Sequence, residues 1–146
     1  MSTAGRVPPG DGNAAVLAAW RSKYSDRVGT VGFCYGGGVS LLCAAREKTT
    51  AASVCFYGSP LGADDLVRVK VPLMMHYAGK DTRINQTIPA FRALLDEQQL
   101  AYSLHMYPGT GHGFHNDSST ARYDADAATL AWERTMNFFG TYLKKR

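Results

Sequence analysis

Three residues of this 146-residue chain could carry out acyl chemistry if the fold brought them together: Cys34, Asp81 and His112. Cys34 is the centre of Gly32-Phe33-Cys34-Tyr35-Gly36-Gly37-Gly38, a glycine–x–nucleophile–x–glycine pattern with cysteine in the place serine often holds. Such a turn carries the chain from a strand into a helix within a few residues and holds the nucleophile at strained dihedrals on its tip. Side chains two positions either way would collide with the crossing strand and helix. Gly32 and Gly36 meet that need, and Gly37 and Gly38 let the helix pack closely. A cysteine at a helix N-terminus also meets a partial positive charge that favours thiolate. The alternatives are a glycine-rich turn around a buried structural cysteine, or a loop that cradles phosphate. The second lacks both the G-x-G-x-x-G spacing and the Lys-Ser/Thr of a P-loop.

Asp81 follows Ala78-Gly79-Lys80, where a carboxylate could orient a histidine; it could equally cap the turn after it. His112 stands in Tyr107-Pro108-Gly109-Thr110-Gly111-His112-Gly113-Phe114, with glycine on both sides, which suits an imidazole presented by a tight loop or a plain surface histidine. Together they arrive in the order nucleophile, acid, histidine, each just after a different apolar segment.

Those segments must be the elements that position them. Val28–Phe33, Ala51–Tyr57, Val71–Ala78 and Ala101–Tyr107 are short apolar runs and read as buried strands. Helical stretches fall between them: Val39 to about Glu47, a turn over Ala63–Val67, and about Thr87 to Gln98. A last helix from about Asp124 to Leu143 should turn Ala128, Trp132, Met136, Phe139 and Leu143 to one face. Before the first strand, Asn13 can cap a helix from Ala14 to about Tyr24, and residues 1–12, rich in glycine and proline, read as a flexible lead-in. The alternation predicts one α/β domain over residues 13–146, a parallel sheet of about four strands covered by helices with right-handed crossovers. Sites in such sheets sit at the C-terminal ends of the strands.

Composition excludes several classes. Hydrophobic residues are 45% and charged residues 19%, ordinary for a globular chain. No apolar stretch approaches the roughly 18 residues of a membrane span, and residues 1–12 do not resemble a signal peptide. The net charge of +4 is scattered and partly in Lys144-Lys145-Arg146, with no stripe or motif for nucleic acid. Three cysteines do not make a disulfide framework, so a reducing cytoplasmic setting is expected. No Cys/His spacing suggests zinc, and no C-x-x-C pair suggests redox exchange. Cys43, Cys55 and His76 read as core residues; His105 and His115 carry no assigned role.

Val31-Gly32-Phe33-Cys34-Tyr35-Gly36-Gly37, Cys55-Phe56-Tyr57-Gly58, Gly79-Lys80-Asp81, Gly111-His112-Gly113-Phe114, Asn116-Asp117 and Arg122-Tyr123 through Ala131-Trp132-Glu133-Arg134 together resemble the dienelactone hydrolase (carboxymethylenebutenolidase-like) family of α/β hydrolases, from about Asn13 to the end. The resemblance implies a cofactor-free hydrolase of lactones, esters or thioesters: Cys34 as nucleophile, His112 as general base and acid, Asp81 as the group that orients the imidazole, and the Tyr35 N–H as an oxyanion donor. It also implies a pocket bordered by Tyr57, with Phe33, Phe114 and Tyr123 as aromatic wall. Two departures stand out. Asn116 occupies the position four after the histidine where members often carry arginine. Family chains also normally begin well before the elbow, so this sequence corresponds to the C-terminal half of the usual sheet. The expected consequences are an open edge along Val28–Phe33, a homodimer or a separate N-terminal fragment that covers it (residues 1–12 could instead fold back, though their glycines and prolines pair poorly), and a missing second oxyanion donor. The alternative to an enzyme is a weakly active or inactive homologue serving as an interaction or structural domain.

Overall fold

The computed structural model describes residues 27–144; the expected lead-in and the helix of Ala14 to Tyr24 lie outside them. The elements in chain order are β1 (Val28–Phe33), α1 (Tyr35–Arg46), β2 (Thr50–Phe56), α2 (Ala63–Leu66), β3 (Leu73–Ala78), α3 (Thr82–Asn85), α4 (Ile88–Glu97), β4 (Tyr102–Tyr107) and α5 (Ala125–Tyr142). The sheet order is β1-β2-β3-β4, and every neighbouring pair is parallel. All four strands therefore end at one edge, and each is followed there by one of the loops singled out in the sequence.

The strands alternate between two cores. On one face Cys55, Leu73, Met75 and Tyr77 pack with Leu41 and Ala44 of α1, Leu66 of α2 and Phe91 and Leu95 of α4. On the other, Ala52, Val54, Phe56, Met74 and Ala78 meet Ala131 and Phe138 of α5. A side chain such as Phe91, almost wholly buried, contributes about 1.5–3 kcal/mol to such a core. β2 and β3 are covered on both faces, which explains their largely apolar sequences, broken only by Thr50, Ser53 and His76.

Two features differ from the sequence reading. α3 was not anticipated; it is a single turn capped by Asp81. The buried face of α5 is Ala128, Ala131, Thr135 and Phe138, whereas Trp132 and Met136 are 39% and 45% exposed. The apolar stripe is rotated because small residues, Ala131 and Thr135, let the helix approach a buried histidine of β3, a requirement that hydrophobicity alone does not encode. Phe139 and Leu143 still pack against the core from its margin.

Candidate active site

Cys34 sits between β1 and α1 with φ 56° and ψ −124°. A positive φ at a non-glycine residue costs on the order of 1–3 kcal/mol and persists only where its surroundings enforce it. Here the Cys34 N–H donates to the Phe56 carbonyl (3.1 Å) and the Gly37 N–H to the Cys34 carbonyl (2.9 Å). The glycines explain the turn unequally. A Cβ on Gly32 would lie 1.8 Å from the Gly36 carbonyl oxygen, and one on Gly37 would lie 2.8 Å from that of Phe56. A Cβ on Gly36, against expectation, meets nothing within 4 Å among the described residues; only its backbone is crowded, by Gly32. Tyr35 is the first residue of α1, so its N–H has no acceptor within the helix. Its side chain is 85% exposed.

β3 and β4 end in loops joined by backbone hydrogen bonds. Gly79 N–H donates to Tyr107 C=O (2.9 Å), and Lys80 N–H to Thr110 C=O (2.8 Å). Across this seam the His112 Nδ1–H donates to Asp81 Oδ2 at 2.5 Å. The carboxylate can only accept, which fixes the tautomer and leaves Nε2 with its lone pair. The Asp81 side chain is 6% exposed and that of His112 is 30% exposed. Asp81 Oδ1 also accepts from Ile84 N–H (3.4 Å). The two readings of Asp81, cap and partner of a histidine, are both true: one oxygen does each.

Tyr57, with φ 39°, follows β2 and stands between the two halves of the site. Its ring meets His112 edge-on at 5.0 Å, and its oxygen lies near enough to Cys34 to interact with it electrostatically. Burial, then Cys34, push the Tyr57 phenol up to about 12, so it stays a neutral hydrogen-bond donor. The Cys34 thiol is raised above the ordinary value chiefly by desolvation and also by Asp81, while Arg122 and Arg83 oppose the rise. Desolvation thus works against the pull towards thiolate expected of the helix N-terminus. Among the described residues no hydrogen bond joins Cys34 to His112.

The other expected wall residues divide. Phe33 is partly exposed, stacks on Phe56 at 4.6 Å and on His115 at 5.1 Å, and lies at the site's edge. Tyr123 lines a cleft of about 620 Å³ together with Asp81, His112, Arg83 and Arg122. Phe114 is a correction: it is fully buried in the core behind Tyr57, at 5.5 Å ring to ring, and forms no part of an open wall. Arg83 was missed by sequence reasoning because an exposed arginine carries no signature. Its place as the second residue of α3, two positions after Asp81, is the signal that could have found it.

His76 is fully buried, as read, with its ring nitrogens bonded to Tyr107 and Thr135. Cys43 and Cys55 are buried and unpaired; burial pushes the Cys55 thiol up to about 12. Among the described residues no cluster of three or more His, Cys, Asp or Glu stands ready to hold a metal ion, and no helix is long and apolar enough to cross a membrane.

The chain is 36% identical over 144 residues to the carboxymethylenebutenolidase of Pseudomonas putida, covering 94% of this chain and 58% of that protein. It is 35% identical over 133 residues to a Bradyrhizobium protein named "Probable 2-oxo-3-(5-oxofuran-2-ylidene)propanoate lactonase", covering 82% of this chain and 52% of the relative. It thus spans about half the length of the curated relatives it matches. The crystal structure of dienelactone hydrolase from Anabaena variabilis superposes with a TM-score of 0.70 at 26% identity, over 91% of this chain and 57% of that one. The fold is accordingly part of an α/β-hydrolase fold. The model of the dienelactone hydrolase family matches residues 9–143, and the chain belongs to that family.

Proposed function

We propose that this protein hydrolyses lactones or esters, thioesters included, through Cys34, His112 and Asp81. The observation that carries the reading is the meeting, at one sheet edge, of a cysteine strained into φ 56° and a histidine whose Nδ1 is held by a buried carboxylate. His112 Nε2 takes the thiol proton as Cys34 Sγ attacks the carbonyl carbon. The Tyr35 N–H donates to the oxyanion that forms. The bond from that carbon to the leaving oxygen, or to sulfur in a thioester, then breaks, the leaving atom takes the proton from His112, and a thioacyl enzyme remains. Water, losing a proton to His112, attacks the thioacyl carbon; collapse returns that proton to Sγ and releases the acid. Tyr57 backs the acyl group, and Phe33 and Tyr123 flank it.

The test is turnover of a p-nitrophenyl ester and of a dienelactone by the protein and by Cys34→Ala. The expected loss is about a thousandfold or more. Equal turnover by the variant would overturn the reading.

Two observations favour a second reading, a weakly active or inactive domain that serves in interaction. The Cys34 thiol is raised and makes no hydrogen bond to His112 among the described residues, and β1 pairs only with β2 there. Val31 and Phe33 of that strand are each more than a third exposed. An open apolar strand invites pairing, and we assign a second copy of the chain to that edge. Light scattering that gives the mass of one chain would exclude the dimer. A reducing, cytoplasmic setting suits the free thiol.

A further inference from the structure

The seam between the β3 and β4 loops contains two polar side chains, Thr110 and Asn85, whose hydrogen bonds go to backbone carbonyls rather than to Cys34 or His112. Thr110 is almost wholly buried, and its Oγ1–H donates to the Tyr107 carbonyl at 2.8 Å. That carbonyl also accepts from Gly79 N–H at 2.9 Å and, weakly, from Thr110 N–H at 3.4 Å. One backbone oxygen thus closes the turn that leads to His112 and holds the loop that carries Asp81. On the other side, Asn85 Nδ2 donates to the carbonyls of Ala78 (2.8 Å) and Gly79 (3.2 Å), and Asn85 N–H donates to that of Asp81 (2.9 Å). The chain through Gly79-Lys80-Asp81 is clamped from both flanks.

We infer that Thr110 and Asn85 are positioning residues, which set the separation of the His112 and Asp81 loops and so the His112–Asp81 hydrogen bond. The inference rests on the hydrolase reading only for its kinetic consequence; the clamp itself is a statement about the imidazole–carboxylate pair. Gly109, at φ 78°, gives the turn before Thr110 no side chain with which to brace it. Among the described residues, the Thr110 hydroxyl is the side-chain group that hydrogen-bonds to this turn's backbone. Threonine to valine keeps the shape and removes the donor. Serine restores the donor without the methyl.

The experiment compares the wild-type protein with Thr110→Val, Thr110→Ser and Asn85→Ala, with two readouts. The first is the proton resonance of His112 Nδ1–H, identified by its loss in Asp81→Asn. The second is kcat and KM for a p-nitrophenyl ester. The clamp predicts that Thr110→Val and Asn85→Ala lose or shift the resonance and lower kcat about tenfold to a hundredfold with little change in KM, since small misplacements of a reacting group cost that much. Thr110→Ser should behave as wild type. If Thr110→Val does not fold, Asn85→Ala decides. Retention of the resonance and of kcat in the folded variants would overturn the inference. If the wild type hydrolyses no ester, the hydrolase reading fails separately, and the resonance alone decides on the clamp.

Discussion

Two histidines of this chain accept opposite bargains. His112, which lines a cleft, spends one ring nitrogen on Asp81 and makes no other hydrogen bond among the described residues. His76, on β3, spends both. Arg134 Nη1–H donates to the Tyr107 hydroxyl (3.1 Å), which donates to His76 Nδ1 (2.9 Å); Nε2–H donates to Thr135 Oγ1 (3.0 Å), which donates to the Ala131 carbonyl (2.8 Å). The direction of every proton follows from the guanidinium, which can only donate, and from the backbone carbonyl, which can only accept. A histidine becomes chemically useful when a nitrogen and an exit are left over; it becomes structural when nothing is left over.

Exchange of each ring should separate these roles. His112→Asn is expected to reduce ester turnover on the order of a thousandfold, within the usual range for loss of a general base, with the melting temperature little changed. His76→Leu is expected to do the reverse. It takes from the buried Tyr107 hydroxyl its acceptor and from Thr135 Oγ1 its donor, and should cost about 2–4 kcal/mol in denaturant titration, with kcat of the folded fraction retained. If His76→Leu loses kcat at full stability, the division between the two histidines is wrong.

Thr135→Val probes the same network more gently. It removes the acceptor of His76 Nε2–H without changing the volume of the contact, and about 1–2 kcal/mol of stability should go. Ester turnover at saturating substrate should not move. Calorimetry and initial rates on one preparation check both.

The contrast also marks what the sequence could reveal. Cys34, Asp81 and His112 stood out as candidates because glycines, strand ends and chain order all mark them, and β2 and β3 because burial on both faces leaves them mostly apolar. His76 was visible as a core residue because it lies inside an apolar run. Its partners were not. Tyr107, Thr135 and Arg134 come from β4 and α5, and no local pattern announces a contact between residues 59 positions apart. The rotated face of α5 has the same origin: Thr135 is buried for its hydroxyl, and a hydrophobic count gives that face to Trp132 and Met136 instead. Phe114 was misplaced because its neighbour His112 reaches the cleft, yet the loop turns its next aromatic inward.

The smallest effect per unit of change is the response to pH, and it distinguishes the two regions without any substitution. Burial, aided by His105 and Arg134, lowers His76 from 6.5 to about 3, so the folded protein keeps it neutral. In the unfolded chain the same imidazole is ordinary. As pH falls below about 6.5 the unfolded state binds a proton that the folded state refuses. Stability is then lost by at most about 1.4 kcal/mol per pH unit until both forms are protonated near pH 3. Above about 6.5 His76 contributes no pH dependence. The Cys34 thiol, raised by desolvation, acts at the other end of the scale: ester turnover should keep rising into the alkaline range where stability no longer responds to His76. Unfolding midpoints from pH 4 to 8 should therefore slope in the wild type and flatten in His76→Leu, while the rate profile keeps its shape in both. An unchanged slope in His76→Leu would assign the acid sensitivity to another group and leave His76 as packing alone.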